Sequence, residues 1–282
     1  MTTNQVTTYL KYANLQMAAE AFLDSPDSYE KQLTTGNKRS SKFTETQAKE
    51  FKDDWTVVEH ISNTATGFSG TLFRCLRDDE TRGLKDGELV LSMRSTEFLD
   101  DGTRDNQATN TMELRPFGWA FGQITDMMSW FNNLESTGKI PFGEKVAVTG
   151  YSLGANIAVA LNHLMVEQGR GGRISATYTF NGAGVGKVNS GHTLTEALNV
   201  FDTARNSGNA DYFKDPVALN LYNDVRASFS VPNPTALEIG KAAGKVTDAM
   251  VVAAQLKPTA ETAARLKELE FLQQGITRIA SV

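Results

Sequence analysis

One serine in this sequence stands in a setting that can make it a nucleophile. Gly150-Tyr151-Ser152-Leu153-Gly154 has the pattern G-x-S-x-G. A serine hydroxyl attacks a carbonyl only when a neighbouring base takes its proton and hydrogen-bond donors receive the charge that develops on the carbonyl oxygen. The pattern alone recurs by chance, so the flanking residues decide. KVAVTG, residues 145–150, is a short β-branched run of the buried-strand type, and SLGANIAVALNHLMVEQ is an apolar helical run that begins directly after it. A strand that turns straight into a helix projects Ser152 outward. The turn also sets the helix N-terminus and the N–H of Leu153 beside the developing oxyanion. Gly150 and Gly154 allow strand and helix to approach closely. The plainer reading is a helix-capping serine, a favoured N-cap type; the strand before and the helix after favour the elbow.

The base is harder to find. The chain has three histidines, His60, His163 and His192. His60 falls in the alternating segment VVEHIS and reads as a sheet-face residue. His163 follows Ser152 along the helix by about 16 Å of axial rise, out of hydrogen-bonding reach. His192 lies in GKVNSGHTLTEA, at the start of a predicted helix. Loops at the C-terminal edge of a parallel sheet gather around such sites, so His192 is the candidate base, with a surface or capping role as the plainer reading.

The elements that must position these groups follow from periodicity. Leu10, Leu15, Ala18, Ala21 and Phe22 predict a helix over 8–24, and the polar stretch 34–49 reads as a loop or weakly ordered excursion. Strands are predicted at WTVVEHIS, GTLFRCLRD and ELVLSMR, the first two with the alternation of half-buried antiparallel strands. The stretch 97–115 is polar, acidic and aperiodic, which suits a lid. GWAFGQITDMMSWFNNLES predicts a helix, ISATYTFNG a strand, 193–206 a helix and VALNLYN a further strand. Residues 234–282 read as two helices separated near Pro258. The alternation of strand and helix from residue 88 onward predicts an α/β fold with a mostly parallel sheet, helices on both faces and antiparallel strands at its N-terminal side. One domain over 1–282 is expected, with 1–54 as an N-terminal helix and excursion, 55–232 as the core and 233–282 as a helical cap or insertion.

Composition bounds the partners. The chain has 282 residues, 40% hydrophobic and 22% charged, with a net charge of −5. These values suit a globular chain and give no electrostatic case for nucleic-acid binding. Cys75 is the single cysteine, so an intrachain disulfide is ruled out. No signal peptide or membrane span is legible, which fits a cytoplasmic protein or secretion by a non-classical route. No metal or cofactor is expected.

Four segments in the same order resemble the class 3 lipase branch of the α/β hydrolases, the fungal-lipase-like group, over roughly residues 55–232. GYSLGANIAVAL resembles the nucleophile elbow of that family. LVLSMRSTE resembles its strand ending in F-R-G-[ST], with Met93 and Ser95 as departures. TYTFNGAGVGK resembles TFGxPxVG, with Asn181 and Ala183 as departures, and NLYNDVRASFSVP resembles xxNxxDxVxxxP. The resemblance implies an α/β-hydrolase fold and carboxylic ester hydrolysis, of lipase, esterase or phospholipase A1 type, on an acyl ester or lipid. It implies Ser152 as nucleophile, Asp224 as triad acid, and Thr96 with the N–H of Leu153 as oxyanion hole. Asp224 as a turn residue and Thr96 as a plain strand-end residue are the alternatives. Such hydrolases order the triad as Ser, acid, His, and no histidine follows Asp224. A C-terminal segment or a second chain supplying the histidine is therefore expected, as in proteins similar to the N-terminal lipase domains of secreted calcium-repeat proteins. Without a base, turnover is expected to fall on the order of a million-fold. The acidic lid composition, with Asp100, Asp101 and Asp105, is poor for interfacial activation; the apolar stripe of 235–256 reads as an ordinary core-facing stripe, with a cap over the pocket as the alternative, and peripheral lipid contact is compatible. The competing expectation is a non-catalytic module that binds a lipid or protein partner.

Overall fold

A computed structural model of the chain describes residues 3–24, 27–36, 42–64, 66–95, 114, 118–186, 193–196, 198 and 199. The chain divides into two compact units, 1–100 with 126–184 and 101–125 with 185–282.

The first unit is α/β. Helices α1 (Thr3–Ala19), α2 (Tyr29–Thr35) and α3 (Glu45–Asp54) precede strands β1 (Trp55–Ile61), β2 (Gly70–Cys75) and β3 (Leu89–Met93). Helix α4 (Phe121–Ser136), of which residues 126–136 belong to this unit, leads to β4 (Val146–Tyr151), and α5 (Leu153–Glu167) leads to β5 (Ile174–Phe180). The sheet order is β1-β2-β3-β4-β5. β1–β2 and β2–β3 are antiparallel, whereas β3–β4 and β4–β5 are parallel. Among the described strands the sheet is therefore evenly mixed rather than mostly parallel. The antiparallel strands do lie at the N-terminal side, because tight turns can join only antiparallel neighbours.

The two parallel joins require crossovers, and both advance in the same direction across the sheet. Their right-handed preference places α4 and α5 on one face. Trp130 of α4 packs there against Phe68, with ring centroids 5.8 Å apart. On the other face, Tyr12, Leu15 and Ala18 of α1 form one cluster with Phe73, Val90 and Ala147. Side chains alternate along a strand, so Leu89, Leu91 and Met93 face away from that cluster, and all are buried. Covering on both faces makes these strands near-continuous apolar runs. It also corrects the half-buried reading of β2: Thr71 is wholly buried and bonds Nδ1 of His60 across the strand pair at 2.8 Å.

Three further expectations change. The first helix ends at Ala19 rather than residue 24. Leu10 is exposed, because the buried stripe runs through Tyr12, Leu15, Ala18 and Ala19 instead. The stretch 34–49 contains the start of α3, where Thr44 and Gln47 form a capping box. Ala48 and Phe51 then bury the face of that helix. In the second unit, the amide of Gly186 donates to the carbonyl of Gly118 at 2.9 Å. Residues 194–196, 198 and 199 are helical, as expected. Thr193 and Glu196 exchange the two bonds of a capping box there.

Candidate active site

Ser152 joins β4 to α5 with φ 52° and ψ −115°. A residue with a Cβ pays about 1–3 kcal/mol to hold a positive φ, so the surroundings must fix it. They do so through its main chain. Its N–H donates to the carbonyl of Phe180 at 3.0 Å, and its carbonyl accepts from the N–H groups of Ala155 and Ala183, each at 3.2 Å. The side chain makes no capping bond to the helix. A capping serine would have extended backbone angles and an accepting hydroxyl. The geometry is therefore that of an elbow, with Ser152 half-buried and its hydroxyl not spent on the helix.

The flanking glycines have separate steric reasons. A Cβ on Gly150 would lie 2.3 Å from the carbonyl oxygen of Gly154, where the strand and the new helix cross. A Cβ on Gly154 would lie 2.3 Å from the carbonyl oxygen of Met93 and 2.7 Å from that of Arg94. The start of α5 is thus pressed against the end of β3, as the parallel pairing of Met93 with Gly150 requires. Leu153 and Gly154 open the helix, so their N–H groups have no carbonyl within it to bond. Helix polarity adds partial positive charge at that point.

The segment after β5 wraps the same turn. Asn181 has φ 44°, a conformation that asparagine tolerates better than most residues. Its amide donates to the hydroxyl of Tyr151 at 3.3 Å. Asn156, 1% exposed on the first turn of α5, donates to the carbonyl of Gly184 at 2.6 Å. The N–H of Ala183, which a proline at that position would lack, donates to the carbonyl of Ser152.

The end of β3 is held from a distance. Arg94 is buried, its N–H donates to the carbonyl of Ser69 at 3.1 Å, and its guanidinium lies 4.2 Å from the ring centroid of Phe22. Ser95 donates its N–H to Oε1 of Glu20 and its hydroxyl to Oε2, both at 2.9 Å. Gln16 braces Oε1 at 2.5 Å. Neither Gln16 nor Glu20 figured as a candidate from sequence. The available signal was a polar pair at i,i+4 set on the apolar side of α1.

Of the sequence-predicted residues, the structure brings Gly150, Ser152, Leu153 and Gly154 together, with the carbonyl of Arg94 against Gly154. Thr96, His192 and Asp224 lie outside the described residues, as do the 97–113 portion of the lid stretch, the VALNLYN segment and 234–282. His163 points away on α5 and pairs with Glu167 at 3.0 Å. His60 sits in β1, where burial first and the nearby Arg94 second push its pKa down to about 4, against the opposing pull of Asp24. It is a neutral sheet residue near pH 7, bonded to Thr71. Among the described residues no cluster of three or more His, Cys, Asp or Glu could hold a metal ion. No helix among them is long and apolar enough to cross a membrane. No family model, curated protein or solved structure matches this chain.

Proposed function

We propose that the chain is a serine hydrolase of the α/β-hydrolase fold, acting on carboxylic esters of acyl or lipid type through an acyl-enzyme on Ser152. The observation that carries this reading is the positive φ of Ser152, held by three main-chain bonds while its hydroxyl is left uncommitted to the helix. Strain of this kind at a solvent-accessible nucleophile type has no structural use that glycine would not serve better.

In the proposed reaction, the Ser152 oxygen attacks the ester carbonyl while a base takes the hydroxyl proton. The resulting oxyanion lies toward the N–H of Leu153, with Thr96 as the second donor. Collapse breaks the ester C–O bond, and the same base returns the proton to the leaving alcohol. Water then repeats the sequence on the acyl-enzyme. Asp224 is proposed to orient the base. The base itself is a histidine, either His192 or one supplied by a C-terminal segment or a second chain. Resemblance of four ordered segments to class 3 lipases supports the substrate class.

The test is covalent labelling of the full-length protein with an alkyl fluorophosphonate, followed by mapping of the adduct. Attachment at Ser152, lost in Ser152→Ala, supports the reading. Absence of an adduct in the folded full-length protein overturns it in favour of a non-catalytic module.

A further inference from the structure

We propose that Glu20 is a positioning residue for the site, clamping the end of β3 against the elbow so that the reactivity of Ser152 depends on a carboxylate 75 residues before Ser95. The inference rests on the reading of Ser152 as nucleophile.

Glu20 follows the last residue of α1 and is 2% exposed. The C-terminal end of a helix carries partial negative charge, so a buried carboxylate there is opposed by its own helix. The fold keeps it nonetheless, and its bonds show to what end. Both carboxylate oxygens accept from one residue: Oε1 from the N–H of Ser95 and Oε2 from its hydroxyl, both at 2.9 Å. A two-point grip fixes rotation as well as position, because both the main chain and the side chain of Ser95 are held. Gln16, one turn back on α1, fixes the carboxylate in turn at 2.5 Å.

The gripped residue is next to the elbow contact. Arg94, directly before Ser95, presents the carbonyl that a Cβ on Gly154 would meet at 2.7 Å. A slackened Ser95 thus frees the chain that walls the helix N-terminus. The grip also has a chemical consequence. With its N–H and hydroxyl both committed to Glu20, Ser95 is withdrawn as a donor toward an oxyanion. Glu20 never touches the reacting atoms. Its effect is on where the wall of the site stands, and displacements near 1 Å cost on the order of 100-fold in rate.

The experiment measures fluorophosphonate labelling of Ser152 in the full-length protein as a function of probe concentration, separating the maximal rate from half-saturation. Glu20→Gln keeps the shape but turns an NH₂ group toward a Ser95 donor. Its maximal rate is expected to fall about 10- to 100-fold at unchanged half-saturation. Ser95→Ala keeps the main-chain bond and loses only the hydroxyl bond, and is expected to fall less, about 3- to 10-fold. Hydrogen exchange should quicken at the Ser95 amide in Glu20→Gln. If Glu20→Gln does not fold, Ser95→Ala decides. A wild-type protein that labels alongside folded variants of unchanged maximal rate overturns the role of Glu20 alone. A wild-type protein that does not label overturns the reading of Ser152, and the role of Glu20 with it.

Discussion

Gly154 meets the carbonyl oxygen of Met93 so closely that a Cβ at Gly154 would stand 2.3 Å from it. The contact joins the first turn of α5 to the last residue of β3. These elements are brought side by side by the parallel pairing of β3 with β4. Three segments distant in sequence converge there: the end of β3, the turn at Ser152, and residues 181–184, which bond to the elbow through Ala183 and Asn156. The main chain of the candidate nucleophile is held in its strained conformation by Phe180 at the end of β5, Ala155 on α5 and Ala183 after β5.

Gly154→Ala must therefore move backbone rather than a side-chain tip. Overpacking against fixed atoms costs about 1–3 kcal/mol, and the upper part of that range is expected here because both obstructing atoms are carbonyl oxygens of one strand end. Gly172, where a Cβ meets nothing within 4 Å, is the control position. Urea-derived unfolding free energies of Gly154→Ala and Gly172→Ala should differ by that amount, with Gly154→Ala also the lower in midpoint. Equal midpoints would mean that the close approach is absent in solution.

Strain at Ser152 makes a second, opposite prediction. Ser152→Ala and Ser152→Gly both remove the hydroxyl, but glycine alone is at ease at φ 52°. Glycine gives back about 0.5–1 kcal/mol in unfolded-chain entropy. Since the strain exceeds this, Ser152→Gly should be the more stable by about 1 kcal/mol. Thermal or urea denaturation of the two variants is the measurement, and a more stable alanine variant would contradict the positive φ.

Much of this arrangement was legible in the residues. Strand and helix periods located β1 to β5, α4 and α5 to within about three residues at their ends, because each is a strong local signal. The pattern around Ser152 announced its turn, since glycine at both flanking positions has a steric cause. What escaped was non-local. Glu20 and Ser95 are joined by a bond that leaves no periodic trace in either segment. The burial of Thr71 depends on helices covering both faces of the sheet, which alternation within β2 does not reveal. The start of α3 was visible as Thr44 and Gln47, yet the surrounding polar residues masked the capping box.

The tie between Asn156 and Gly184 gives a prediction about order around the elbow. Asn156→Leu is close in volume but cannot donate to the Gly184 carbonyl, which lies on an exposed residue, so the loss is that of one ordinary hydrogen bond, about 0.5–1.5 kcal/mol. The loss should be local before it is global. Amide exchange at Ala183, whose N–H holds the Ser152 carbonyl, is expected to accelerate by about 3- to 10-fold in the variant. Exchange at residues of β2, held by two neighbouring strands, is expected to follow only the change in overall stability.

His60 sets a pH dependence of stability whose direction can be fixed. Its pKa in the folded chain is about 4, against 6.5 for the free group, through burial and the proximity of Arg94. The unfolded chain therefore binds the proton first. Stability contributed by neutral His60 is complete above about pH 6.5, declines as pH falls toward about 4, and changes no further below that. Asp24 acts in another window. Its carboxyl is held below the usual value chiefly by the hydroxyl of Ser62, so its contribution is lost only below about pH 4. Between pH 7 and pH 5 the His60 effect should amount to about 2 kcal/mol. His60→Gln removes the titration and can still bond Thr71. The difference in urea-derived stability between wild type and His60→Gln should accordingly shift by about 2 kcal/mol against the wild type as pH is lowered from 7 to 5. A constant difference across that range would show that His60 titrates normally in the folded chain.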